Sequence, residues 1–169
     1  MVSAGFSPKS LLAQLHLTSS NTKISGYLNY IGGKDLSHAS VNQVDAVING
    51  TICSKFSIGY NGTVKSVKPA SGTAHSWWGS AVYFNYDPSA ALGLTLRSEY
   101  FGDKKGVAGF GTGIYDLTLS AGIHIDNLTI IPEFRLDGAK DPVFYKHTDT
   151  NTPSSKMTGS FILATIFHF

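Results

Sequence analysis

The sequence predicts an all-β fold, an antiparallel up-and-down transmembrane β-barrel, from three observations. Apolar residues recur at every second position through segments of about ten residues, the length of strand that crosses a bilayer at a tilt of about 45°. Short and long links alternate between these segments, and aromatic residues collect at their ends. Composition agrees: Gly contributes 18 of 169 residues, and charged residues make up 14%, against roughly 25% in ordinary soluble domains. No window holds the about 18–20 continuous apolar residues of a spanning helix, so strands are the only elements that could carry the chain across a membrane. A formal net charge of +2 without a basic run gives no footprint for nucleic acid. Cys53 is the single cysteine, which excludes an internal disulfide, and it reads as a small turn residue rather than a nucleophile.

Nine strand-like segments follow one another: Leu11 to Thr18, Lys23 to Ile31, Val44 to Ile52, Lys55 to Ser66, Trp77 to Tyr86, Ala91 to Phe101, Ile114 to Ile125, Leu128 to Asp137, and Gly159 to Phe169. The alternation is clearest in the sixth, where Leu92, Leu94, Leu96 and Tyr100 fall on one face and Gly93, Thr95, Arg97 and Glu99 on the other. In the seventh, Tyr115, Leu117, Leu119, Ala121, Ile123 and Ile125 oppose Asp116, Thr118, Ser120, Gly122 and His124. The eighth repeats it with Leu128, Ile130, Pro132, Phe134 and Leu136 against Thr129, Ile131, Glu133, Arg135 and Asp137. None shows the three- and four-residue spacing of a helical stripe. The ninth alternates Phe161, Leu163, Thr165, Phe167 and Phe169 with Ile162, Ala164, Ile166 and His168, as expected of the closing strand of a barrel.

Short links are expected near Ser19 to Thr22, Cys53 to Ser54, Asp87 to Ala90 and Asp126 to Asn127, alternating strictly with long ones at Gly32 to Gln43, Val67 to Ser76, Gly102 to Gly113 and Gly138 to Thr158. Short periplasmic turns and longer extracellular loops give this pattern in a membrane barrel, whereas a Greek-key sandwich has no reason to keep it. Trp77, Trp78, Tyr100 and Phe101 fall beside long links, while Tyr86, Phe167 and Phe169 fall beside short ones, which sorts the rings into two interfacial belts. A water-facing barrel of lipocalin type would expose the Leu92, Leu94, Leu96 row to solvent, an aggregation hazard.

Nine strands leave the first and last parallel, whereas bacterial single-chain barrels close with an even, antiparallel set. Met1 to Ser10 also lacks the charged and apolar regions of a signal peptide. Both features lead to the expectation that residues 1–169 form a single β-barrel region, the C-terminal part of a longer outer-membrane barrel.

Several stretches resemble one family. They are Trp77-Trp78-Gly79-Ser80-Ala81, Leu94 with Arg97 through Gly106, Pro132 through Asp137, the Phe144-Tyr145 pair and the strand Phe161 to Phe169. In these the chain is similar to the OmpL-like β-barrel porins of Gram-negative outer membranes, from about Leu11 to Phe169. The resemblance implies a channel for passive diffusion of small hydrophilic solutes or ions, set in outer-membrane lipid. It brings no catalytic residue to transfer, so the chain is expected not to be an enzyme and to need no cofactor. Phe161, Leu163, Phe167 and Phe169 are expected to serve as the assembly signal read by the barrel-assembly machinery. Cys53 departs from the usual family composition without mechanistic consequence.

Function then rests on the inward row. Arg97, Glu99, Asp116, His124, Glu133, Arg135 and Asp137 share one face of three consecutive strands and are expected to line the pore, where mixed charge hydrates a passage and sets a weak ion preference. The competing expectation is a salt-bridged plug filling a closed barrel, and with it a non-conducting structural or adhesive protein acting through its extracellular loops. Other motifs lose force in context. Gly109, Gly111 and Gly113 precede no helix, and the six histidines offer no pair at ligand spacing. Asn49-Gly50-Thr51 and Asn61-Gly62-Thr63 match a glycosylation acceptor but fall inside strands.

Overall fold

The computed structural model describes residues 8–147 and 151–169. The expectation of no signal peptide at Met1 to Ser10 therefore lies largely outside the described residues, and part of the last long link, residues 148–150, does too. Among the described residues nine strands form: β1 (Ser10–Thr18), β2 (Ile24–Lys34), β3 (Ser40–Cys53), β4 (Phe56–Lys68), β5 (His75–Ser89), β6 (Leu92–Gly102), β7 (Gly113–Ile125), β8 (Leu128–Ala139) and β9 (Met157–Phe167). They make one sheet in chain order, every neighbour antiparallel. Among the described residues the far edges of β1 and β9 pair with no further strand. Among the same residues no helix is long and apolar enough to cross a membrane.

Residues directly opposite in an antiparallel pair share a face, so the register carries each strand's alternation across the whole sheet. The pairs Leu96↔Leu119, Leu119↔Phe134 and Phe134↔Phe161 put one apolar row on the outer face. Further along, Phe84↔Leu96, Ile58↔Phe84 and Ile24↔Gly50 continue that phase toward β1. The opposite phase, which includes Arg97↔Thr118 and Thr118↔Arg135, forms the inner face. Burial is inverted relative to a water-soluble protein. Leu119 is 55% exposed and Phe134 49%, while Thr118 is 4% exposed and Asp116 6%. Ala39 and Ala81 are the only buried apolar residues among those described. Such a row of bare Leu, Ile and Phe is unfavourable in water at about 25 cal/mol per Å² and at home in hydrocarbon.

Tight turns at 54–55, 90–91 and 126–127 lie at one end of the sheet, with link 19–23. Asp126 takes a positive φ of 50°, a conformation that Asp tolerates better than most residues. At the other end, links 35–39, 69–74, 103–112 and 140–156 lengthen progressively along the chain. The strict alternation expected from the sequence therefore fails at the first pair, where both links span five residues. The reason is that Gly33↔Val41 and Lys34↔Ser40 extend the β2–β3 ladder, since backbone pairing does not require apolar side chains. The last strand also ends at Phe167, two residues short of the expected Phe169.

Outer-face aromatics mark the long-link end. Trp78, Tyr100 and Tyr115 form a row of mutually tilted rings with centroids 4.9 and 4.8 Å apart. The Trp78 and Tyr100 rings lie over glycines: a Cβ on Gly102 would come within 2.7 Å of Trp78 Nε1, and one on Gly113 within 2.5 Å of Tyr100 Oη. Tyr30 and Tyr60 lean in the same way over Gly32 and Gly62, so all three tyrosines carry their hydroxyls toward the long-link end. Amphipathic rings at one height are the mark of a membrane interface.

Candidate pore-lining site

The inner face of β6, β7 and β8 carries a charged cluster near the long-link end. Each residue arrives there through the period of two. Arg97 and Glu99 are two apart on β6, Asp116 and Thr118 on β7, Arg135 and Asp137 on β8, and Glu99↔Asp116↔Asp137 lie in one row across the strands. Arg97 forms an ion pair with Glu99. Arg135 donates from Nε and Nη2 to Asp137, at 3.0 and 2.6 Å, and its Nε also lies 2.6 Å from Asp116 Oδ2. The Thr118 hydroxyl donates to Asp116 Oδ1 at 2.9 Å. Arg97 further stacks over the Tyr83 ring at 5.7 Å. Fork-shaped guanidinium groups between carboxylates satisfy one another while keeping polar edges toward the interior.

Aromatics roof this cluster. Phe101 sits between Trp77, at 5.2 Å, and Phe110 from link 103–112, at 5.8 Å. Together with Phe144 from link 140–156, Phe101 and Phe110 enclose a cavity of about 290 Å³ whose floor includes Glu99, Asp116, Arg135 and Asp137. The placement of Phe110 follows from Asp103, which is fully buried. Its Oδ2 accepts from the backbone N–H groups of Ala108, Phe110 and Gly111, at 3.1, 3.0 and 3.4 Å. Gly106, Gly109 and Gly111 supply the positive φ angles that wrap the loop around that carboxylate. Thr112 then donates to Asp141 at 2.8 Å, tying the two longest links together.

Of the seven expected lining residues, Arg97, Glu99, Asp116, Arg135 and Asp137 come together. Glu133, opposite Ser120, and His124, whose Nδ1 meets Thr129 Oγ1 at 3.0 Å, share the inner face nearer the short-turn end and stay outside the cluster. On the other half of the face stands a network that sequence reasoning missed. Gln14 donates to Asn29 at 2.7 Å, and both Asn29 and Asn61 donate to Asp45, at 2.9 and 2.6 Å. Gln43 reaches Thr63 at 3.3 Å, and Ser57, Asn85 and Thr95 form a chain at 3.2 and 2.9 Å. The signal was the same alternation, with Gln43, Asp45 and Asn49 in one phase of β3, but Val41 and Val47 interrupt it. Among the described residues no group of acidic, His or Cys side chains could hold a metal ion.

No match was found among curated proteins or among solved structures. The family described as Putative beta-barrel porin-2, OmpL-like, matches residues 2–169. With strands in up-and-down order, an apolar outer face and a polar inner one, the chain belongs to this OmpL-like β-barrel porin family.

Proposed function

We propose that the protein is a passive channel for small hydrophilic solutes or ions in the Gram-negative outer membrane, with the inner face of this sheet as part of the pore wall. The observation that carries this reading is the polar surface running from Gln14 to Asp137 behind a face that is mainly apolar, broken in mid-strand by Ser80, Ser98 and Thr165. Arg97, Glu99, Asp116, Arg135 and Asp137 act as the electrostatic constriction, with Phe110 and Phe144 narrowing it from above. His124 and Glu133 line the pore closer to the short-turn end. The cluster sets two guanidinium groups against three carboxylates, so its field favours cations weakly. Parity supports a larger barrel: among the described residues nine strands leave β1 and β9 running the same way with open edges, and further strands contributed by a longer chain would close it antiparallel. Phe161, Leu163 and Phe167 on the outer face of β9, with Phe169 beyond it, form the signal for barrel assembly.

Single-channel recording of the complete protein in a planar bilayer under a salt gradient tests the reading. Stepwise conductance with a modest cation preference is expected. A folded, inserted barrel without conductance would favour a structural or adhesive role through the long loops.

A further inference from the structure

A second cavity, of about 820 Å³, opens on the opposite side of the same rim. Its lining includes Lys104 from link 103–112, and Lys140 and Lys156 from the two ends of link 140–156. The lipid side of its wall is made by Tyr100, Tyr115 and Met157, all in the outer-face phase of their strands. Lys104, Lys140 and Lys156 are exposed, and among the described residues none of them pairs with a carboxylate. Asp141, also in the wall, is engaged by the Thr112 hydroxyl. Three cations face the single carboxylate of Asp141 around one cavity, an excess of positive charge that a further anion would offset, and the aromatic belt fixes their height at the interface.

We infer that this cavity binds the headgroup of a phosphomonoester lipid in the leaflet beside the long links. A terminal phosphate carries close to two negative charges and three free oxygens, which suits three ammonium groups carried by two neighbouring loops better than the single charge of a phosphodiester. The acyl chains then descend along the Leu117 and Leu136 row. Tyr100 and Tyr115 shield the charged contact from the hydrocarbon. The inference rests on the reading of the outer face as membrane-embedded.

The test reconstitutes the protein in phosphatidylcholine vesicles containing phosphatidic acid or phosphatidylglycerol, scores insertion by protease protection, and measures lipid retained after detergent release by native mass spectrometry. Phosphatidic acid should be retained at least tenfold better than phosphatidylglycerol. The K104Q/K140Q/K156Q variant should lose that preference, and Lys55→Gln, in the opposite short turn, should keep it. Equal retention of both lipids, or a triple variant indistinguishable from the parent, overturns the inference. Inorganic phosphate competing at the same concentration as the lipid would reassign the cavity to a free anion and overturn it too. A chain that stays protease-sensitive throughout removes the membrane reading and this inference together.

Discussion

The two halves of the inner face satisfy the same demand with different chemistry. Across β1–β4, neutral amides converge on one carboxylate, Asp45, through Gln14, Asn29 and Asn61. Across β6–β8, ionised groups neutralise one another through Arg97, Glu99, Asp116, Arg135 and Asp137. Among the described residues the amide half leaves no buried side-chain polar atom unpaired, while the charged half leaves Arg97 Nε without a hydrogen-bond partner. The second concentrates five ionised groups in three adjacent strands, whereas the hydrogen-bonded amides of the first are neutral. Each half also ends in a loop begun by an aspartate that accepts backbone N–H groups, Asp35 for link 35–39 and Asp103 for link 103–112.

The comparison fails outright if the two halves do not share a face turned away from lipid. Leu119→Arg should therefore cost about 2–4 kcal/mol if the residue lies near the bilayer midplane. Ser120→Arg, one residue away but on the inner row between Thr95 and Glu133, should cost far less, because the new cation meets a carboxylate directly opposite. Reversible unfolding in lipid measures both, and equal destabilisation would remove the assignment of the two faces.

Loop architecture carries the next largest effect. Asp103→Ala removes the acceptor shared by three backbone donors, a loss of about 1–3 kcal/mol for a buried, charge-assisted set. Hydrogen exchange across residues 104–111 should accelerate, and conductance should rise as Phe110 leaves the roof of the cluster. Unchanged exchange there would separate the carboxylate from the fold of the loop.

Charge reversal sharpens the comparison between halves. R97E/R135E should shift reversal potentials toward cations, most clearly in dilute salt, because screening acts within about 8–10 Å at physiological ionic strength. Asp45→Asn, in the amide half, should move the reversal potential much less. A shift of equal size from Asp45→Asn would show that the field is not concentrated in β6–β8. Arg97→Gln with Arg135→Gln provides the milder version, with the same sign and a smaller displacement.

Much of this was legible in the sequence wherever one physical rule dominated. The period of two named all nine strands and put Arg97, Asp116 and Arg135 on one face, because a pleated strand next to lipid must alternate. Strand ends were less legible: Gly33 and Lys34 pair through backbone groups that hydropathy does not register. The grouping of Arg97 through Asp137 apart from Glu133 and His124 depends on register and height, which only the ladder fixes. Phe110 and Phe144 were invisible as site residues, since loops have no period and their placement follows from Asp103 and the Phe144↔Ser155 bridge.

The smallest expected effect lies at the rim of the amide half. Asp35 Oδ1 accepts from the Ser37 hydroxyl at 2.6 Å and from the N–H groups of Ser37 and Ala39 at 2.9 and 3.0 Å. The Ser37 hydrogen bond leads the causes that hold its carboxyl below the ordinary value of 3.8, against some loss of hydration, with the two backbone donors adding to it. A depressed pKa means that the ionised form is favoured in the folded turn. Its contribution to the turn is fully present above the unfolded-state pKa and fades as pH falls through the lower folded value. Because the group is solvent-exposed, the effect should be local: the amide resonances of Ser37 and Ala39 should titrate together with a midpoint below 3.8, while the barrel stays intact. Asp35→Asn should abolish that titration without altering reversal potentials, and a midpoint at or above the ordinary value would remove Asp35 as the organiser of its turn.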